Sequence, residues 1–170
     1  MKLYLMRHGI ALDIGECGVS RDAERPLSEE GRRKVALVAR GIQSLGVAPQ
    51  GWAASPLLRA RQTAEIVARR WDPSPHIDVC EALAPGGTAK DFLSWLRERP
   101  TRDWLAVGHM PDLSDLAGGL LFGSSGADIE FKKGAVACLS CEGTPRPGRF
   151  RLQWLLPPRA FRIMASAKES

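Results

Sequence analysis

The chain has little of several residue types, and each shortage excludes a class of protein. Its 170 residues include only four cysteines, too few and too scattered for a disulfide framework, so we expect reduced thiols. No apolar run approaches the length of a membrane helix, and the four apolar residues before Arg7 are too few for a signal peptide. We therefore expect a cytoplasmic protein that does not act on or in a membrane.

One cysteine pair has the C-x-x-C spacing of many metal and redox sites. Cys138 and Cys141 lie in a segment that the sequence predicts to be a strand. Residues three apart in a strand point to opposite faces, which does not suit two ligands of one ion. We expect neither a metal nor a cofactor.

What the chain does have is enough apolar residues for a core, together with a surplus of basic residues. Its composition, 44% hydrophobic and 25% charged, is that of an ordinary globular domain. The pattern predicts one domain over 1–160 and a C-terminal tail over 161–170. The net charge of +5 permits an anionic substrate or an acidic partner. The basic clusters lack the interleaved aromatic residues on which the bases of single-stranded nucleic acids stack, so we expect no nucleic-acid partner. We also expect a monomer.

The most informative motif is Arg7-His8-Gly9, which follows the apolar run at residues 3–6. A short continuous apolar run is typical of a strand buried on both faces. The motif then falls at the carboxyl end of that strand, where open α/β sheets bind their ligands. An imidazole there can attack phosphorus while the neighbouring guanidinium grips phosphate oxygens. By itself the motif is equally compatible with a histidine that only caps a strand.

A second motif opens a predicted helix. Ser55 is a candidate N-cap and Pro56 suits the first helical position. Arg59 follows one turn later and shares a helix face with Thr63. A guanidinium beside the exposed amides of a helix N-terminus favours an anion, although Arg59 alone also fits an ordinary surface position.

A third motif repeats the arrangement of the first. The apolar run at residues 104–107 is followed by Gly108-His109 and then by a helical pattern. Two of the three histidines therefore close apolar strands beside a glycine. The third, His76, lies in a proline-containing loop, where we expect it to be exposed and without a role.

Periodicity along the rest of the chain predicts the fold class. A helical pattern begins after Ser28 and stops near Gly46, and a hairpin is predicted from residues 135–139 and 150–156. Alternating strands and helices favour an α/β fold. We predict a mostly parallel central sheet with one antiparallel strand and helices on both faces.

Taken in order, the three motifs resemble the histidine phosphatase superfamily, the phosphoglycerate mutase-like enzymes. Smaller features, such as the segments at residues 25–28 and 81–87 and the short length, are similar to SixA-type phosphohistidine phosphatases. The resemblance implies a metal-independent phosphatase. It also implies that His8 is the nucleophile that forms a phosphohistidine, and that Arg7, Arg59 and His109 bind the phosphate oxygens.

The proton donor is left open by the sequence. Mutase-like members of the family use a glutamate after the second helix, and Glu81 matches that position by rough motif order. Acid-phosphatase-like members use an aspartate after the second histidine, where this chain has Met110. Asp13 is another option, and a phosphohistidine substrate, whose leaving imidazole can arrive protonated, requires no strong donor.

The short interval between the second helix and the glutamate segment bears on the substrate. Only residues 71–80 fill it, which predicts a shallow site that suits a phosphorylated side chain on a protein. We therefore expect phosphohistidine on a signalling protein, such as a histidine-containing phosphotransfer domain, as the substrate. A general phosphomonoesterase of small metabolites and a non-catalytic phosphate-binding module remain alternatives.

Overall fold

In the computed structural model, which describes residues 1–167, six strands form a single sheet. They are β1 (Lys2–Arg7), β2 (Gly51–Ala54), β3 (Asp78–Val79), β4 (Trp104–Gly108), β5 (Val136–Ser140) and β6 (Arg151–Leu156). Their order across the sheet is β3-β2-β4-β1-β5-β6. Neighbouring strands pair in parallel, except that β5 runs antiparallel to β1 and to β6. The prediction of a mostly parallel sheet with one antiparallel strand is confirmed, as is the hairpin.

Within residues 1–167, five α-helices cover the two faces of this sheet. They are α1 (Glu29–Ser44), α2 (Leu58–Ala68), α3 (Ala89–Arg97), α4 (Asp112–Phe122) and α5 (Pro158–Ala167). Residues of α1, α2 and α5 enclose one apolar core, and residues of α3 and α4 enclose the other. Side chains alternate along a strand, so Leu3 and Leu5 of β1 enter one core while Tyr4 and Met6 enter the other. Among the described residues, no helix is long and apolar enough to cross a membrane.

The start of α1 follows its sequence signals. Ser28 is the N-cap, and its Oγ accepts a hydrogen bond from the Gly31 amide at 3.0 Å, as expected. Gly31 also lets the helix approach the chain after β1, since a Cβ there would lie 2.0 Å from the carbonyl oxygen of Ile10. The N-terminus of α1 is thereby held against the segment that follows His8.

The start of α2 differs from the prediction. The helix begins at Leu58, with Leu57 as its N-cap residue, so Ser55 and Pro56 precede it. The hydroxyl of Ser55 is hydrogen-bonded to His109, a partner that lies 54 positions away in the chain. The hydroxyl therefore binds a buried tertiary partner in addition to the local amide of Leu57.

The expected C-terminal tail is wrong for residues 161–167, which belong to α5, and residues 168–170 lie outside the described part of the chain. Phe161 is fully buried in the core beneath α1. Gly41 of α1 makes this packing possible, because a Cβ there would lie 2.2 Å from the Phe161 carbonyl oxygen. The apolar residues Phe161 and Ala165, four positions apart, mark the buried face.

Candidate active site

The two strand-end histidines meet at one edge of the sheet. Strands β1 and β4 are adjacent and parallel, with Arg7 paired to Gly108, so His8 and His109 leave the sheet side by side. The His8 amide donates to the Gly108 carbonyl at 3.1 Å, and the centroids of the two imidazole rings are 4.9 Å apart. The sheet itself therefore places both rings in one site.

His8 is held with a free lone pair. Its Nδ1 lies 2.7 Å from the Gly9 carbonyl oxygen, which can only accept, so Nδ1 carries the proton and Nε2 does not. The side chain is buried, and burial, together with the charges of His109, Arg59 and Arg7, lowers the pKa of His8 to about 3. At neutral pH this ring is an uncharged nucleophile.

His109 is oriented by Ser55, which its sequence context predicts to be a helix N-cap. Its Nε2 lies 2.8 Å from the Oγ of Ser55, which also accepts a 3.3 Å hydrogen bond from the Leu57 amide. Ser55 is fully buried, so its own hydroxyl proton is satisfied by donation to Nε2 of His109. Burial and the charge of Arg59 lower the pKa of His109 to about 4, so the neutral ring carries its one proton on Nδ1.

A threonine links α2 to the strand-end segment. The hydroxyl of Thr63 donates to the Arg59 carbonyl at 2.7 Å and accepts from the Gly9 amide at 3.1 Å. Thr63 is fully buried and Arg59 nearly so. The shared helix face that the spacing predicts is therefore present, and it fixes Arg59 relative to His8.

The guanidinium of Arg59 contacts an aspartate that sequence reasoning missed. Nη1 donates to the Asp22 carbonyl at 2.7 Å, and Nη2 lies 3.0 Å from the Asp22 carboxylate. Burial alone would raise the pKa of Asp22, but hydrogen bonds from Arg25 and Arg59 hold it below its usual value. The ionised Asp22 thus holds Arg59 instead of offering a proton. No local pattern links this turn residue to a helix residue 37 positions later.

Arg7 approaches the site from the end of β1. Its Nη1 donates to the Phe131 carbonyl at 2.7 Å, which ties the side chain to the segment before β5. Burial lowers the pKa of Arg7, and the nearby Glu130 partly offsets this effect. The guanidinium is nevertheless a cation at neutral pH.

Three buried nitrogens of this cluster have no hydrogen-bond partner in the described part of the chain. They are Nε of Arg7, Nε of Arg59 and Nδ1 of His109. Each carries a proton, and a buried donor without an acceptor costs about 1–3 kcal/mol. Two cations and an imidazole N–H, all of them close enough to His8 to lower its pKa, form a site that an anion with several oxygen acceptors completes.

The two other predicted residues lie at the exposed margin. Glu81 lies in a short 3-10 turn after β3 and is exposed, and its side chain makes no hydrogen bond or ion pair within residues 1–167. Asp13 pairs with Arg25 at 2.6 Å and is 82% exposed. The structure brings Arg7, His8, Arg59 and His109 together, and it places neither carboxylate in contact with them. The same part of the chain contains no cluster of three or more His, Cys, Asp or Glu residues suited to a metal ion.

Comparison with known proteins gives the family. The family described as the histidine phosphatase superfamily (branch 1) matches residues 3–84. A protein of Picosynechococcus sp. (strain ATCC 27264 / PCC 7002 / PR-6), described as uncharacterized, is 38% identical over 174 residues, which cover 92% of this chain and all of the relative. This match extends well beyond the part of the chain that the family model covers.

The SixA proteins are similar over nearly the whole chain. Phosphohistidine phosphatase SixA of Escherichia coli (strain K12) is 26% identical over 162 residues, which cover 93% of this chain and 94% of the relative. A solved structure of the protein histidine phosphatase SixA complexed with tungstate superposes with a TM-score of 0.80 at 25% identity, over 94% of this chain and 98% of that one. These matches confirm the resemblance that the motifs indicate.

Proposed function

This chain belongs to the histidine phosphatase superfamily, and from that premise we propose that it hydrolyses phosphohistidine on a protein through a phosphoryl intermediate on His8. One observation carries the proposal. Three buried donors without partners belong to Arg7, Arg59 and His109, the residues whose charges act on His8, and the Nε2 lone pair of His8 is free. A phosphoryl group would satisfy the donors and would meet the nucleophile at the same time.

The first step transfers the phosphoryl group to the protein. The Nε2 lone pair of His8 attacks phosphorus, and the bond from phosphorus to the leaving nitrogen breaks, with its electron pair going to that nitrogen. The attacking ring becomes a cation. The Gly9 carbonyl, which accepts a hydrogen bond from Nδ1–H of His8, stabilises this charge. The guanidiniums and the Nδ1–H of His109 balance the charge on the three phosphoryl oxygens.

The second step releases phosphate. Water attacks phosphorus, the bond to Nε2 breaks, and its electron pair returns to the ring, which restores neutral His8. Dividing the hydrolysis into two steps replaces one high barrier with two lower ones. The burial and positive charges that keep His8 unprotonated prepare it for the next turnover.

The choice of phosphohistidine is supported by what surrounds the cluster. The two carboxylates that the sequence offers as proton donors, Glu81 and Asp13, are exposed and make no contact with the cluster. An alcohol leaving group would need an acid in contact with it, whereas a protonated imidazole leaves without one. The fold alone does not set the substrate, so hydrolysis of small phosphate esters is the competing function.

The test compares substrates. A histidine-containing phosphotransfer domain, phosphorylated on histidine, is assayed beside sugar and nucleotide monophosphates with the wild-type chain, His8→Ala and Glu81→Gln. We expect rapid loss of phosphate from the protein, dependent on His8 and insensitive to Glu81, and slow turnover of the esters. Comparable or faster turnover of the esters would contradict the proposal, as would binding of phosphate without turnover of either class.

A further inference from the structure

A basic groove lies beside the candidate phosphate site. It has a volume of about 400 Å³ and is bounded by the middle of α1, the segment before β5 and the start of α5. The charged side chains that line it are Arg7, Lys34, Glu130, Lys132, Lys133 and Arg162. Five cations against one carboxylate give the lining a net charge of +4, compared with +5 for the whole chain.

The groove shares residues with the site. Arg7, whose Nε is one of the three donors without a partner, is also part of the groove lining. Gly9, which follows His8 directly, lines it as well. We therefore expect a protein that presents a phosphoryl group to His8 to reach the groove as well.

The cations of the groove are largely available. Lys132 and Lys133 are exposed, and their side chains make no hydrogen bond or ion pair in the described part of the chain. Lys34 is bound only to Glu30 of its own helix, a surface pair of the kind that contributes at most about 1 kcal/mol. The one carboxylate, Glu130, acts on Arg7. Two lysines thus face solvent unpaired beside the site.

The chemistry of the groove selects among anionic partners. Its uncharged lining includes Ile10, Val35, Val38 and Pro158 but no aromatic ring on which bases could stack. A concave surface with an apolar floor and a cationic border suits a protein segment that carries acidic and apolar side chains, and it suits a flat anionic membrane poorly.

We propose that the basic groove docks an acidic segment of the phosphorylated partner protein next to its phosphohistidine. This inference rests on the proposed function, because it assigns the partner of the same site. The groove would supply recognition of the protein, while the buried cluster supplies the chemistry. Charges at the border of an interface act mainly on the association rate and on its dependence on salt.

The experiment uses matched charge reversals. Lys132→Glu/Lys133→Glu reverses two exposed cations of the groove, and Arg149→Glu/Arg151→Glu reverses two exposed arginines near the opposite end of β5. Each variant is assayed with a phosphorylated histidine phosphotransfer domain that has acidic side chains beside its phosphohistidine. N-phosphoimidazole, which has the same P–N bond and no protein surface, is the reference substrate.

We expect the ratio of kcat/KM for the domain to kcat/KM for N-phosphoimidazole to fall about tenfold in the groove variant and to stay near the wild-type ratio in the control. The salt dependence of the ratio should weaken in the groove variant alone. An unchanged ratio, or an equal fall in both variants, overturns the inference while wild-type turnover of the domain still supports the proposed function.

Competition separates the classes of partner. The unphosphorylated domain, an oligonucleotide of equal charge and phosphatidylserine vesicles are each added to the wild-type reaction. We expect the domain to inhibit, and Lys132→Glu/Lys133→Glu to weaken that inhibition. Stronger inhibition by the oligonucleotide or the vesicles that depends on the same lysines overturns the assignment of a protein partner. Wild-type protein that releases no phosphate from the domain overturns the proposed function itself.

Discussion

Two parts of the site differ in burial and in contacts. We call His8, Arg59 and His109 its wall, and Asp13 and Glu81 its rim. The wall residues are 3–8% exposed, and each has a fixed hydrogen-bond partner. The rim carboxylates are exposed, and neither touches the wall. The side chains that provide the positive charge and the nucleophilic lone pair thus lie in the packed interior. We infer that catalysis depends on the wall far more than on the rim.

The largest loss of activity should follow from removal of a positive charge from the wall. Arg59→Ala removes a guanidinium that the fold has buried beside the nucleophile, and we expect kcat/KM to fall by roughly 10²–10³-fold. Arg61→Ala, on the exposed face of the same helix, is the matched control and should stay near the wild-type value. Steady-state kinetics on both variants decides the point, and similar losses for the two arginines would remove the special position of Arg59.

Acid should destabilise the fold through the histidines of the wall. Their pKa values are about 3 and about 4 in the folded state, against about 6.5 for an unperturbed histidine. Between these pH values the unfolded chain binds more protons than the folded chain does. The free energy of unfolding is therefore highest above about pH 6.5 and decreases as the pH falls. Two such groups contribute a slope of roughly 3 kcal/mol per pH unit near pH 5, a factor of about 100 in the folding equilibrium.

Denaturant unfolding of the wild type and of His8→Asn/His109→Asn across pH 4–7 measures this slope. The double variant should show a flatter dependence, because its asparagines take up no proton. Parallel curves for the wild type and the double variant would mean that the wall histidines titrate normally.

A smaller effect should follow from the group that orients the wall. Ser55→Ala leaves Nε2 of His109 without its donor, so the ring no longer keeps its proton on Nδ1 toward the phosphate. We expect about a tenfold loss in kcat/KM, an altered pH profile, and destabilisation of about 1–3 kcal/mol. Ser55→Thr, which retains the hydroxyl, should recover much of the kinetic loss. Equal kinetics for the alanine and threonine variants would assign Ser55 a purely structural role.

The smallest effect should come from the rim. Glu81→Gln is expected to change kcat/KM for a phosphohistidine protein by no more than about threefold, because the leaving imidazole needs no strong acid. Asp13→Asn should behave in the same way. A loss of 100-fold or more in either variant, measured at pH 7, would make that carboxylate a proton donor and would erase the contrast between wall and rim.

The wall was predictable from the sequence because its positions follow from regular structure. Two apolar strands that end in histidine must bring those residues to one edge if the strands are parallel neighbours, and helix spacing aligns Arg59 with Thr63. The contact between Asp22 and Arg59 was not predictable, since an irregular turn carries no period. The hydrogen bond from Ser55 to His109 was hidden by the strong local capping preference of serine.

The C-terminal helix shows the same limit on a larger scale. Residues 161–167 form a segment too short to be a stable helix by itself, and their packing against α1 at Gly41 is a contact between distant parts of the chain. Local propensity is a weak guide where tertiary packing determines the structure. Periodic segments could therefore be predicted from the sequence, whereas partners across the fold required the structure.

The most direct test of the account is the chemical fate of the phosphoryl group. The wild-type chain is mixed with a labelled phosphohistidine protein, quenched within one turnover in base, digested and mapped by mass spectrometry. The account predicts one phosphoryl group on His8, stable to base and labile to acid, that forms before phosphate is released and is absent in His8→Ala. Full turnover with no label on the chain, or with label on any residue other than His8, would contradict it.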